Sequence, residues 1–342
     1  MKRWVHLLLL LLVLLPLSLS AKESFRVAWS HYTGWEPWGY AEQAGILKKW
    51  ADKYDIDIEL TLVNDYIESI NLYTAGKFDA CAMTNMDALT IPAVGGIDSE
   101  AVIVGDFSNG NDGIVMKKGS TVADLKGRTV NLVELSVSHY LLARALDMNG
   151  LSERDVKLVN TSDADIAALF ISDKNGAAVT WNPPLMQARN AEGAKLVFDS
   201  SGIPGEIIDL MVVRSNAPDS LKLALNGAWY ETLAVMTGKD AAAEKAIEYM
   251  ATASGATVAE FKAQLATTAM FYKPAEAVAF VTSSKPLETM EHVRQFSFDK
   301  GLYGETAESP DFVGIQFDDG KVLGDSGNIK LRFSAKWMKA QQ

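Results

Sequence analysis

Acidic and indole side chains gather at a few places in this sequence, each at or just after an apolar, strand-like run. After FRVAWSH (25–31) come Trp35, Glu36 and Trp38; after DIELTLV (57–63), Asp65; and after DACAMT (79–84), Asn85 and Asp87. Further along, GRTVNLVE (127–134) ends in Glu134 with Ser138 close behind, GAAVTW (176–181) ends in Trp181, and Asp209 sits within EIIDLMVVR (206–214). In open α/β sheets ligands collect beyond the carboxyl ends of the strands, so these residues form a candidate ligand-binding set. The set contains no lysine or arginine. An aromatic face attracts a cation within about 6 Å, and a carboxylate accepts two parallel N–H bonds from a planar guanidinium. The chemistry that suits these groups is therefore capture of a small cation, or of a neutral donor-rich molecule such as urea or an amide with less electrostatic gain. A small anion is the competing ligand, held by backbone N–H groups and Ser136/Ser138 at a helix start.

Each residue also has a purely structural explanation. Trp35 and Trp38 flank Pro37 at the start of a helix and can staple it down. Glu36 complements a helix N-terminus, and Asp65, Asp87 and Ser138 are good N-caps. Glu134 has the weakest such explanation, because a carboxylate ending an apolar strand needs a partner or solvent; Trp181, just before Asn182-Pro183-Pro184, comes next.

The elements that must position these residues alternate in type. Strands at 25–31, 57–63 and 79–84 enclose a helical stretch from Pro37 to Tyr54, interrupted at Gly45, and a second one in which Ile67, Ile70 and Thr74 share a face before Gly76. Runs at 101–107 and 113–120 follow, then strands at 127–134, 156–161 and 176–181 alternating with helices near 138–148 and 163–172. Such alternation predicts mostly parallel sheets covered by helices. After a return strand at 206–214 the chain turns helical (219–237, 240–253, 257–267, 274–283), and the segment from Phe312 gives no clear pattern. The fold class expected is α/β, with two Rossmann-like lobes joined by a two-segment hinge and a helical C-terminal portion. Residues 22–105 plus 207–342 would form one lobe and 113–200 the other, with crossings near 106–112 and 199–206.

Residues 1–21 combine a basic start, a leucine run from Leu7 to Leu15 and small residues at Ser18, Ser20 and Ala21. That order reads as a secretory signal peptide, since the run is shorter than the ~20 residues needed to span a bilayer. Export to a periplasm, with no lipid-anchor cysteine, is expected. Cys81 is the one cysteine and lies inside an apolar run, where a free thiol behaves as a small hydrophobe. The net charge of −11 carries no basic stripe, which excludes nucleic acid as a partner. The four histidines, His6, His31, His139 and His292, lack the spacing of a metal site, and no nucleophile elbow, phosphate loop or dinucleotide fingerprint occurs. No metal, cofactor or catalytic group is expected.

Four segments in order resemble the type II periplasmic solute-binding proteins of the nitrate/taurine ABC importer group: YAEQAGILKKWADKYDIDIEL (40–60), INLYTAGKFDACAMTNMDAL (70–89), VADLKGRTVNLVELSVSHYLLARALDMNGLSERDVKLVN (122–160) and NGAAVTWNPPLMQARNAEGAKLVFDSS (175–201). WSHYTGWEPWGYAEQAGIL (29–47) together with residues 84–115 resembles more narrowly the subgroup named for urea carboxylase gene regions, with urea or guanidine as ligand. The resemblance implies hinge closure over one small molecule by a monomer, and delivery to an inner-membrane permease driven by a cytoplasmic ATPase. Sulfonate and nitrate binders of the group set basic groups against the anion; the strand tips here lack them. The alternatives are a receptor for taurine, another sulfonate or nitrate, and an enzyme on the same scaffold.

Overall fold

The computed structural model describes residues 22–174 and 176–342; the segment read as a signal peptide lies outside the described residues. Among the described residues, fourteen strands form two sheets. They are β1 (Glu23–Trp29), β2 (Ile56–Leu62), β3 (Ala80–Thr84), β4 (Ser99–Ser108), β5 (Asp112–Met116), β6 (Thr129–Leu132), β7 (Lys157–Asn160), β8 (Ala177–Trp181), β9 (Lys195–Asp199), β10 (Ile208–Arg214), β11 (Thr268–Met270), β12 (Gly314–Gln316), β13 (Val322–Leu323) and β14 (Ile329–Phe333). The larger sheet runs β13-β12-β14-β4-β10-β3-β1-β2, with β11 added beside β4; the smaller runs β7-β6-β8-β5-β9. The chain passes from the first sheet to the second between Ser108 and Asp112, and returns between Asp199 and Ile208. This is the two-lobed α/β architecture of type II solute-binding proteins.

Sequence patterning accounts for the central strands. β3 is buried along its whole length and β4 and β10 along nearly all of theirs, so they read as continuous apolar runs rather than as alternating ones. Two buried carboxylates break that rule, Asp106 in β4 and Asp209 in β10, and the antiparallel register sets them directly opposite each other. β1 pairs in parallel with both β2 and β3, which points the ends of all three towards the second lobe.

The helices follow local signals. Pro37 occupies the first turn of the helix Glu36–Gln43, and Gly45, at φ +72°, turns the chain into the helix Ile46–Lys53. Asp65 caps Tyr66–Thr74 by accepting from the Glu68 N–H at 2.9 Å. Trp50 lies flat on Gly227 of the helix Asp219–Met236: a Cβ there would stand 2.2 Å from the indole.

Among the elements not anticipated from the sequence, two stand out. β9 is a half-exposed edge strand of the second sheet. The helix Lys285–Asp299 is largely polar and buries only a narrow stripe that includes Met290 and Val293. Its far end reaches the second lobe. Phe296 packs edge-on against Tyr140 (centroids 5.1 Å apart) and against His139, and Lys300 pairs with Glu153. Nearby, Arg144 makes two bonds to Glu206, at 2.9 and 3.1 Å, and Tyr140 donates to the same carboxylate at 2.5 Å. The two chain passages are tied together where the Ser108 and Ser200 hydroxyls meet at 2.6 Å and the Gly110 N–H donates to Ser200 Oγ at 2.7 Å. Among the described residues, no helix is long and apolar enough to cross a membrane.

Candidate functional site

The carboxyl ends of β1, β2 and β3 converge on a small cavity between the sheets. After β1 the backbone folds over so that the Trp35 and Glu36 N–H groups both donate to the Tyr32 carbonyl, at 2.8 and 3.1 Å. That turn aims the Tyr32 and Trp35 rings inward. After β2, Tyr66 opens its helix, and its hydroxyl accepts from the Thr84 N–H at 3.0 Å and donates to Asp87 Oδ2 at 2.6 Å. Thr84 Oγ1 donates to the same oxygen at 2.8 Å. The second lobe contributes Asp112, the first residue of β5, opposite Trp181 at the end of β8, together with Val137 at the start of the helix Val137–Met148. Asp209 and Ile207 complete the wall.

Four rings run in series around this space: Tyr32 to Trp35 at 5.0 Å, Trp35 to Tyr66 at 5.6 Å, and Tyr66 to Trp181 at 5.5 Å between centroids. The empty space between these groups measures about 250 Å³, part of it open to solvent. It is a narrow cleft, suited to a very small ligand. No lysine, arginine or histidine lines it.

Its electrostatics are set by carboxyls. Asp112 and Asp209 are each 2% exposed, and Asp106 and Asp87 are fully buried. Burial pushes Asp87 up to about 6 and Asp112 up to about 7. Burial also raises Asp106 and Asp209; for Asp209 the negative charge of Asp106 adds to the rise. At an effective dielectric near 20, two carboxylates about 4 Å apart repel by about 4 kcal/mol, so a proton is retained between such a pair. With both groups ionised, Asp106 Oδ2 and Asp209 Oδ2 meet no protein donor; a proton on one of the two would supply the missing bond. Tyr32 donates to the other oxygen of Asp106 at 3.0 Å. The indole N–H of Trp35 and Asp87 Oδ1 are likewise buried without a protein partner.

Of the residues singled out in the sequence, Trp35, Trp181 and Asp209 line the cavity, and Asp87 stands one layer behind Tyr66 and Thr84. The others lie elsewhere. Trp38 turns into the first lobe against Trp229, with centroids 4.9 Å apart. Glu36 is sealed beside His31, Oε1 to Nδ1 at 2.7 Å. Asp65 is the helix cap described above. Asn85 joins the returning chain, donating to the Glu206 carbonyl at 3.2 Å and accepting from the Ile208 N–H at 3.0 Å. Glu134 is exposed, with its backbone N–H held by Asn160. Ser138 is buried near the helix start, its hydroxyl unpartnered.

Tyr66, Asp106 and Asp112 were not in the sequence-derived set. A carboxylate inside the apolar run AVIVGDF was a usable signal for Asp106, because such a group needs a partner. Tyr66 had none beyond its position after β2. Cys81 is fully buried, its thiol pushed up to about 12 by burial, so it stays protonated at neutral pH. Among the described residues, no group of three or more His, Cys, Asp or Glu is placed to hold a metal ion.

The NMT1/THI5-like family description matches residues 46–252, more than half of the chain, and the chain belongs to that family. Among individual proteins, the "Putative aliphatic sulfonates-binding protein" of Escherichia coli K12 is 35% identical over 83 residues, which is 24% of this chain and 26% of that one. That match therefore spans about a quarter of the relative's length. In three dimensions the chain is similar to the alkanesulfonate-binding protein SsuA of Xanthomonas axonopodis pv. citri bound to MOPS, with a TM-score of 0.68 at 18% identity over 84% of this chain and 96% of that one. It is also similar to the periplasmic nitrate-binding protein NrtA of Synechocystis PCC 6803, with a TM-score of 0.58 at 12% identity over 94% and 99% of the two chains. At such identities these likenesses establish the fold.

Proposed function

We propose that this chain is the periplasmic solute-binding component of an ABC importer, and that it captures a small nitrogen-rich solute, namely guanidinium, urea or a related amine or amide. Two lobes would close over the ligand as a monomer and present it to an inner-membrane permease driven by a cytoplasmic ATPase. The importer role is supported by the family and by the fold shared with sulfonate- and nitrate-binding proteins.

One observation carries the ligand class: a narrow cavity walled by Trp35, Tyr66 and Trp181, with Asp112 on one lobe and Asp209 on the other, and no basic side chain. A planar cation between them would donate N–H bonds to both lobes while its faces meet the rings. Bonding to both lobes would make closure depend on the ligand. The motion would turn on the passages at 109–111 and 200–207.

Titration calorimetry against guanidinium, urea, short amines, taurine and nitrate tests the reading. Guanidinium or urea should bind and the anions should not; tight taurine or nitrate binding with silence from the nitrogen compounds defeats it. The bound compound should be recovered chemically unchanged after long incubation, as suits capture rather than turnover.

An anion remains the second reading, favoured by the relatives named for sulfonate and nitrate and by the unpartnered Ser138 hydroxyl at a helix start. It requires Ser138→Ala to weaken binding and Asp112→Asn to leave it intact or improve it. The nitrogen-ligand reading requires Asp112→Asn to weaken binding.

A further inference from the structure

Taking the cavity between the lobes as the ligand site, we propose that the ligand enters it as a monovalent cation in exchange for a proton shared by Asp106 and Asp209. This inference rests on the nitrogen-ligand reading above and narrows it to the charged members of that class.

The argument begins with what faces the pair. Asp106 and Asp209 stand opposite each other in β4 and β10. From the turn after β1 comes the Tyr32 hydroxyl, from the start of β5 comes Asp112, and from the segment after β11 comes Tyr272, with Glu276 beyond it. Asp87 adds its charge on the side of Asp112. Every one of these groups is an acid or a neutral phenol. Asp106 Oδ2 and Asp209 Oδ2 are both buried with no protein donor, and Asp209 is part of the cavity wall.

A pair so placed cannot hold two negative charges unless a positive one lies against it. Two candidates exist, a proton or the ligand, and they compete for the same oxygens. When a cation such as guanidinium docks, its charge replaces the proton, which leaves to bulk solvent; no covalent bond of the ligand changes. A neutral ligand such as urea brings no charge and leaves the proton where it was. The pair would then be both the counter-charge for the ligand and a means of releasing it in acid.

Calorimetry of the intact protein with guanidinium at about pH 6.5, in two anionic buffers of different ionisation enthalpy, counts the protons exchanged. Up to about one proton should be released per guanidinium bound, and the affinity should fall by as much as about tenfold per pH unit on acidification. Urea, if bound, should release none. Asp209→Asn, isosteric and neutral, should bind guanidinium more weakly and flatten the pH profile. Should that variant not fold, Tyr32→Phe serves in its place. Loss of the donor to Asp106 makes the pair hold its proton more tightly, so the midpoint of the affinity profile should move to higher pH.

Guanidinium binding with no proton release and a flat affinity from about pH 5.5 to 8 overturns the exchange while leaving a nitrogen-ligand receptor in place. A midpoint unmoved in Tyr32→Phe also counts against it. Failure to bind guanidinium at any pH, with taurine or nitrate bound instead, overturns the reading of the cavity itself.

Discussion

Asp112 and Trp181 come from neighbouring strands of the second lobe and face Asp209 and Trp35 of the first, so binding losses can be assigned to single contacts. A hydrogen bond to a charged group is worth about 1.5–3 kcal/mol, so Asp112→Asn should lower guanidinium affinity by roughly ten- to a hundredfold in calorimetry. Trp181→Ala removes a desolvated aromatic face worth about 2 kcal/mol and should lower it by some tens-fold. Glu134→Gln should change it by less than about twofold, because the side chain is exposed and away from the cavity. Unaltered affinity in Asp112→Asn, or a large loss in Glu134→Gln, would place the site elsewhere. The residue types were legible in the sequence, and their directions were not. Trp35 and Trp38 look equivalent on either side of Pro37, yet Trp35 stands ahead of the helix as its N-cap residue and faces the cavity, while Trp38 lies within the helix and packs against Trp229. The opposition of Asp106 and Asp209 depends on a register between strands a hundred residues apart, which no local pattern encodes.

Strands β1 to β8 and β10 could be read from apolar runs and punctuation because each is central enough, or alternates cleanly enough with helices, to show its period. β9 escaped as a short edge strand with half-exposed side chains, and the helix Lys285–Asp299 because its buried stripe is narrow and its remainder charged. That helix is one of the elements that bridge the lobes. Phe296→Ala removes the ring that meets Tyr140 and His139; it should speed ligand release in stopped-flow measurements more than it slows binding, since most interface changes act on dissociation. Equal release rates for variant and parent would deny the bridge a part in closure. Packing within the first lobe is tested at Gly227, where the Trp50 indole, held by its N–H bond to Glu231 at 2.7 Å, leaves no room for a methyl group. Overpacking of this kind costs about 1–3 kcal/mol, so Gly227→Ala should lower the melting temperature without altering ligand selectivity.

Over the whole molecule, the buried acids give stability an unusual pH dependence. Carboxyls of the unfolded chain titrate near 4, whereas burial holds Asp87 at about 6 and Asp112 at about 7 and raises Asp106 and Asp209 as well. A carboxyl whose folded value is raised contributes stability that is full below about pH 4 and is lost as pH climbs to about 7. Shifts of opposite sign fall on surface carboxylates such as Asp52, held down to about 2 by its bonds to Lys48 and Lys22, pairs that moderate salt screens. Another falls on buried His139, lowered to about 4 by burial, which offsets part of the gain in acid. The unliganded protein should therefore show a higher melting temperature at about pH 5 than at about pH 8; a melting temperature that rises from about pH 5 to about pH 8 would contradict the burial of these acids. Closure brings a last consequence through Cys81. It is the one sulfhydryl in the chain, sealed in β3 and kept protonated, so thiol-reactive dyes should find no target in the native protein. A cysteine introduced at exposed Glu134 would then take up a single fluorophore, and the brightness of that label would convert lobe movement into an optical signal for the solute.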